Sequence, residues 1–304
     1  MRTRPECVAR AEPASKTARR LDCRAGHVLC YSRARMLQRK LATAWSVLHT
    51  RGVEGATRVS LEKAGMWWRH GGPFELGKFV GRPSPYARLD GCTFGLDSHV
   101  ISPSLKYLLL TGKHEAPERT LLRRHLNRTL PLVELGGALG VVSCVANGML
   151  ADPRRHVVVE ANPGLLQVLD ANRRRNGCEF TVMHRAVGYG APVLRFPVAS
   201  DVLASSTFVD TASTVEVRTT SLKAILDSHG FSRCSLVCDI EGAEVELVRE
   251  EPSVLRDQVD VLIMEVHERV VGQDSIDGML RSLKGLGFEL IERVWDTIAM
   301  RRLR

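Results

Sequence analysis

Two groups of residues in this 304-residue chain could do chemistry. The first is rich in glycine. Pro131 to Ser143 reads Pro-Leu-Val-Glu-Leu-Gly-Gly-Ala-Leu-Gly-Val-Val-Ser. A short apolar run is followed by Gly136, Gly137 and Gly140 and then by a second apolar stretch. A strand, a tight turn and a helix start form a nucleotide-sized cradle, because a backbone without Cβ atoms lets a ligand approach closely. Glu134 stands two residues before the first glycine. The next acidic strand end is Glu160, twenty residues after Gly140. That spacing suits a carboxylate accepting hydrogen bonds from ribose hydroxyls. The second group is acidic: Asp239-Ile240-Glu241-Gly242-Ala243-Glu244, and later Glu265-Val266-His267. An imidazole with a pKa near neutrality can take a proton from an acceptor group. His267 is the first choice for that base, with Asp239 and Glu265 as its catalytic neighbours; two residues past Glu265, it would point to the same face as Glu265 on a continuing strand. Asp239, Glu241, Glu265 and His267 also offer donors of the kind that hold a divalent cation. Glu244 reads as an acid facing a helix dipole.

Strands and helices must alternate to bring these groups together, and the pattern predicts that they do. Strands are expected at Leu132–Leu135, His156–Glu160, Phe180–His184, Ser235–Ile240 and Val259–Glu265. Helices are expected over Val141–Leu150, Pro163–Asn176, Leu222–His229 and Glu244–Glu250, the last stopped by Pro252. Pro163 at a first turn and Gly177 past the end are the usual helix asymmetry. Short strands near Val193–Phe196 and Val215–Arg218 flank a Ser205-Ser206-Thr207 loop. Ile276, Met279, Leu280 and Leu283 stripe a last helix, and Phe288–Arg293 with Thr297–Arg301 reads as a terminal hairpin. Upstream, Tyr86 to Ile101 holds short strands around Asp90-Gly91, and Glu118–Asn127 has helical spacing. A carboxyl-end crevice on such a sheet collects Asp239, Glu241, Glu265 and His267.

Charge divides the chain. Residues 1–70 carry 15 Lys+Arg against 5 Asp+Glu, and residues 71–304 carry 28 against 29. The folded part is therefore not the basic surface that a nucleic-acid reader presents, and no nucleic acid is expected. Residues 1–35 read as a disordered basic extension, with Met36 a second candidate start. Residues 36–85 read as a helical segment followed by a Gly/Pro linker, and 86–304 as the catalytic domain. Leu37, Leu41, Trp45 and Leu48 with Arg39 and Lys40 make a basic amphipathic helix. It could lie on an anionic membrane, although the narrow stripe favours docking on the domain. The eight cysteines contain no C-x-x-C pair, which speaks against a zinc or redox motif. A reducing, cytoplasmic setting is expected, and no apolar run approaches the roughly 18 residues of a membrane span.

Glu134-x-Gly136-x-x-x-Gly140 resembles the first motif of class I S-adenosylmethionine-dependent methyltransferases. Asp239-Ile240-Glu241-Gly242-Ala243-Glu244 resembles the D-[IV]-E-G-x-E signature of the FkbM family within that class. Glu160-x-Asn162-Pro163, Glu265-x-His267, Ser205-Ser206 and Gly112-x-x-Glu115-x-x-Glu118 fit the same family, over about residues 95–304. The family's first motif reads D-x-G-A-N-x-G, so Ala138 stands where it carries Asn. The resemblance implies a Rossmann-like α/β sheet, mostly parallel with an antiparallel C-terminal hairpin. It implies S-adenosylmethionine as cofactor and methylation of a hydroxyl on a small molecule, polyketide or glycan. Glu134, Gly136, Gly137 and Gly140 would then serve the methionine end. Glu160 and Ala161 would serve the ribose, Arg185 and Ala186 the adenine, and Asp239 the methionine amine or the acceptor. Two other readings compete. A dinucleotide oxidoreductase would need glycine at Ala138 and Val141 to complete G-x-G-x-x-G. A non-catalytic relative would have no use for Glu160 and Asp239.

Overall fold

Residues 85–197 and 214–303 are described by a computed structural model of the chain. The basic extension, the amphipathic segment over Leu37–Leu48, nearly all of the Gly/Pro linker and the Ser205-Ser206-Thr207 loop lie outside the described residues. Four apolar runs form the heart of the fold: β3 (Leu132–Leu135), β4 (His156–Glu160), β9 (Cys234–Cys238) and β10 (Val259–Glu265). Such runs are apolar on both faces, and a parallel strand covered by helices on each side buries both. Val133, Leu135, Val157, Val159, Leu236, Leu262 and Met264 face one core. Leu132, Val158, Val237, Val261 and Ile263 face the opposite side. This is the period-two alternation of a pleated strand.

The sheet order is β11-β12-β10-β9-β3-β4-β5, where β5 is Thr181–His184, β11 Phe288–Val294 and β12 Thr297–Arg302. Neighbours from β10 to β5 run parallel, and β12 and β11 pair antiparallel. This is the expected mostly parallel sheet with a terminal hairpin. Four helices cover one face: α5 (Leu222–His229), α6 (Glu244–Glu250), α7 (Pro252–Gln258) and α9 (Gln273–Gly285). The other is covered by α2 (Ala116–His125), α3 (Val141–Asn147) and α4 (Pro163–Arg175). A hairpin of β1 (Tyr86–Leu89) and β2 (Cys92–Gly95), followed by α1 (Pro103–Leu110), closes this side. Asn172 on α4 ties the hairpin down: its Oδ1 accepts from Gly95 N at 3.1 Å, and its Nδ2 donates to Leu139 O at 2.9 Å. A separate three-stranded sheet, β6 (Ala186–Val187), β8 (Thr214–Thr220) and β7 (Val193–Pro197), follows β5.

Three expectations change. The helix after the glycines ends at Asn147, three residues early. Pro252 stops α6 but also opens α7, since proline at the first helical position forfeits no intrahelical bond. β10 ends at Glu265, and His267 begins α8 (Glu268–Val271) rather than continuing the strand. The five described cysteines are free, and no described helix is long and apolar enough to cross a membrane.

Gly136 has φ +93°, and a Cβ there would lie 1.8 Å from Asp239 O. Gly136→Ala should therefore cost at least about 3 kcal/mol from overpacking and positive φ together. That is a fall in Tm of roughly 8 °C or more for a domain of this size. Gly177 also has positive φ but meets nothing within 4 Å, so Gly177→Ala should cost only about 1 kcal/mol. Thermal denaturation of the two variants side by side checks the contrast.

Candidate functional site

The carboxyl ends of the strands line up along one edge of the sheet. Following the strand order, that edge carries the β11–β12 turn, Glu265 to His267, Asp239 to Glu244, Gly136 to Gly140, Glu160 to Asn162, and Arg185. The glycine turn is held from β4, because Gly136 N and Gly137 N both donate to Val159 O at 2.9 and 3.0 Å. Gly137 has no room for a side chain: a Cβ would sit 2.4 Å from Val158 Cγ1. Ala138 follows with φ +41°. Asn or Gly would tolerate this left-handed region better than Ala does.

Glu160 is buried, and its carboxylate is already engaged. Oε1 accepts from Asn162 N at 2.6 Å and Oε2 from Ala138 N at 2.7 Å. Each oxygen keeps a second lone pair. Burial raises its pKa above the ordinary value, against the backbone donors that lower it. A cavity of about 240 Å³ opens beside it. Gly136, Glu160, Ala161, Arg185, Ala186 and Asp239 line this cavity, as do Leu165, Val187 and Leu194. Sequence reasoning missed those three apolar residues. Val187 belongs to a two-residue strand and Leu194 to a short one, and neither gives a periodic signal.

Glu134, Gly137 and Gly140 do not line the cavity. Glu134 is 1% exposed, accepts from Ser143 Oγ at 2.7 Å, and stands 3.3 Å from Nε2 of the fully buried His156. Burial pushes the Glu134 pKa well above the carboxylate range and takes His156 down to about 3. Burial thus disfavours charge on both members of the pair, and Glu134 braces β3 against α3 and β4.

The acidic signature folds as a turn. Glu241 has φ +56° and Gly242 φ +106°. Glu244 is 1% exposed and closes the turn: Oε1 accepts from Ile240 N at 2.8 Å and Oε2 from Gly242 N at 2.9 Å. His267 sits among four carboxylates. Its Nδ1 is 3.1 Å from Glu244 Oε1 without an aligned hydrogen bond. Its Nε2 is 3.4 Å from Asp239 Oδ1, 3.5 Å from Glu241 Oε2 and 3.9 Å from Glu265 Oε1. Thus the three residues expected to be catalytic come together although His267 has left the strand. Burial lowers the His267 pKa, but Glu244, Glu265 and Glu241 outweigh it and raise it to about 9. Burial, Asp239 and Glu118 raise Glu265 to about 9 as well. Burial, then Glu241, Glu115 and Glu118, hold Asp239 well above its usual range. Asp239 Oδ1 is buried with no hydrogen-bond partner. Asp239, Glu244 and His267 can bring ligand atoms within 4.8 Å of one another, as a cation would need. Both Glu244 oxygens are, however, occupied by backbone N–H groups.

The profile of the methyltransferase FkbM domain matches residues 134–290. No curated protein matches the sequence. Solved structures that resemble the fold include a precorrin methyltransferase from Geobacter metallireducens, 14% identical over 62% of this chain and 86% of that one, TM-score 0.37. An rRNA methylase from Streptococcus thermophilus is 9% identical over 61% and 94%, TM-score 0.37. Fibrillarin from Aeropyrum pernix, with natively bound S-adenosylmethionine, is 13% identical over 57% and 66%, TM-score 0.33.

Since burial disfavours a charge at Glu134, Glu134→Gln should keep the melting temperature within about 4 °C. An amide can still bond Ser143 Oγ, and its oxygen can accept from His156 Nε2, since His156 Nδ1 faces the Asn147 Nδ2 donor. Glu134→Leu takes away the acceptor of Ser143 Oγ and should cost about 1–3 kcal/mol. Thermal melts at neutral pH separate the two outcomes.

Proposed function

Because the chain belongs to the FkbM methyltransferase family, we propose that it moves a methyl group from S-adenosylmethionine to a hydroxyl oxygen. The charge of the crevice carries the choice of cofactor. Asp239, Glu241 and Glu265 all have raised pKa values, from burial first and from neighbouring acids second, with Glu115 and Glu118 acting on Asp239. A ligand with a sulfonium and an ammonium group relieves that repulsion, whereas the pyrophosphate of a dinucleotide would add to it. The residues present fit such a ligand. Gly136 and Ala138 offer bare or nearly bare backbone. Glu160 keeps lone pairs for ribose hydroxyls, and Leu165, Val187 and Leu194 suit an apolar heterocycle beside Arg185 and Ala186. Asp239 Oδ1 lacks the donor that an ammonium or a hydroxyl would bring.

When bound, S-adenosylmethionine supplies a methyl group that is already electrophilic. The protein then has to orient the acceptor and remove its proton. His267 Nε2 is the atom that takes the proton, with Asp239 and Glu265 positioning the hydroxyl. The carboxylate cage keeps His267 protonated at neutral pH, so only a small fraction of the imidazole is free to accept. A hydroxyl on a small molecule, polyketide or glycan suits this acidic rim better than a nucleic acid, whose phosphates it would repel.

Calorimetry should detect S-adenosylmethionine binding, and Glu160→Ala should weaken it by about 1.5–3 kcal/mol. Tight NADH binding with no S-adenosylmethionine binding would sink the cofactor assignment. With an acceptor in hand, kcat/KM should climb about tenfold per pH unit from pH 7 and level off near the value of about 9 that the His267–Glu265 pair imposes. The sign follows from the role: a base works deprotonated, and its raised pKa moves that form to alkaline pH. His267→Gln should lower turnover by about 10²–10⁴ and flatten the profile, leaving cofactor affinity within about threefold. A flat wild-type profile between pH 7 and 9 would remove His267 from the role.

A further inference from the structure

Trp295 is the most exposed large apolar residue among those described, at 75%. It stands first in the two-residue turn between β11 and β12, with φ +55°. Glycine is favoured at a positive-φ first position of such turns. Tryptophan gains stability chiefly by burial, so here it has neither the backbone freedom nor the burial that would explain its presence.

The turn is fastened beside the reacting groups. Arg293 Nε donates to Trp295 O at 2.8 Å. Val266 N, between Glu265 and His267, donates to Asp296 O at 2.9 Å. Thr297 pairs with Glu265 across β12 and β10, and its hydroxyl donates to Glu118 Oε1 at 2.5 Å. Trp295 therefore belongs to the edge of the sheet beyond His267. The cavity proposed for the cofactor reaches only to Asp239, Glu241 and Ala243 on that side. The acceptor would then meet the site past them, on the His267 side.

Resting on the methyl-transfer reading, we propose that Trp295 is the stacking platform for the acceptor, and that the acceptor is a neutral, polyhydroxylated ring of the pyranose kind. An indole face offers an apolar, weakly negative surface, which C–H groups on one face of a sugar ring match. On the His267 side Asp239 Oδ1 is buried without a hydrogen-bond partner, Glu241 Oε2 and Glu265 Oε1 lie 3.5 and 3.9 Å from His267 Nε2, and a ring with several hydroxyls can bond more than one of these carboxyls. A phenol brings one or two hydroxyls and can bond fewer of these carboxyls at once. A phosphorylated or uronic sugar would meet like charge, and the nearby Arg293 is engaged with the turn carbonyl.

Saturation-transfer NMR on the full chain tests this with a panel of methyl hexopyranosides, catechol and hexose 6-phosphates as probes. S-adenosylhomocysteine binding is measured separately by calorimetry. At least one methyl hexopyranoside should bind, and Trp295→Ala should weaken it by roughly tenfold. Trp295→Phe should retain part of the affinity, and both variants should bind S-adenosylhomocysteine within about twofold of wild type. Three results overturn the proposal: unchanged glycoside binding in Trp295→Ala, preference for catechol or a hexose phosphate, or no glycoside bound at about 20 mM. Wild type that binds a glycoside but no S-adenosylhomocysteine would overturn the methyl-transfer reading and leave the stacking role supported.

Discussion

The ends of β3 and β9 approach more closely than any side chain at Gly136 would permit. Asp239 N donates to Leu135 O at 2.9 Å, which carries the β3–β9 ladder one step beyond both strands. One residue later Gly136 has turned, and the carbonyl of Asp239 occupies the place of its missing Cβ. The glycine loop and the acidic turn are thereby one construction. Asn172 holds the loop from behind through Leu139 O, and Val159 O holds it from β4. Any shift of β9 relative to β3 would open the cavity floor and move Asp239 away from Glu160's side of the crevice.

The same juxtaposition concentrates negative charge. Folding places Asp239, Glu241, Glu265 and Glu118 near one another, and burial penalises each charged form. Glu115 escapes this. His114, the Val142 N–H and Arg119 overcome its burial and hold its pKa below the usual value. It therefore acts as a standing anion toward Asp239. His267 is a cation set among the remaining acids, and it does not reach Glu115's side. These acids ionise more readily when a cation pairs with them, which favours a cationic ligand over an anionic one.

Much of this was legible in the sequence because the signals were local. Apolar runs flanked by glycine or acid marked β3, β4 and β10, and Pro163 with Gly177 bracketed α4 within a residue. The acidic signature announced a shared site, and Asp239, Glu265 and His267 do meet there. What could not be read depends on direction rather than identity. Glu134 looks like a cofactor acid by position, yet on a strand buried on both faces its side chain goes toward His156 and Ser143. His267 was expected on a continuing strand, in phase with Glu265. The chain turns into α8 instead, which brings Val270 and Val271 so close to Gly242 that a Cβ there would lie 3.0 Å from Val270 Cγ1. Trp295 gave no signal, because one aromatic between two strands has no period.

The extent of the family match divides the site. Residues 134–290 hold the glycine loop, Glu160, Asp239, the acidic turn, Glu265 and His267. Outside that span lie Glu115 and Glu118 upstream and Trp295, Asp296 and Thr297 downstream. These outer segments are joined across the sheet by the Thr297–Glu118 hydrogen bond, which ties α2 to the terminal hairpin. On the methyl-transfer reading, the matched span holds the cradle for the methyl donor. Residues that select the acceptor are therefore expected at the margins of the shared span, on elements the core does not need. The β11–β12 turn meets that description. It contributes nothing to the cavity beside Glu160, and its backbone is anchored between Glu265 and His267, where changing one exposed side chain alters what is recognised without disturbing the sheet.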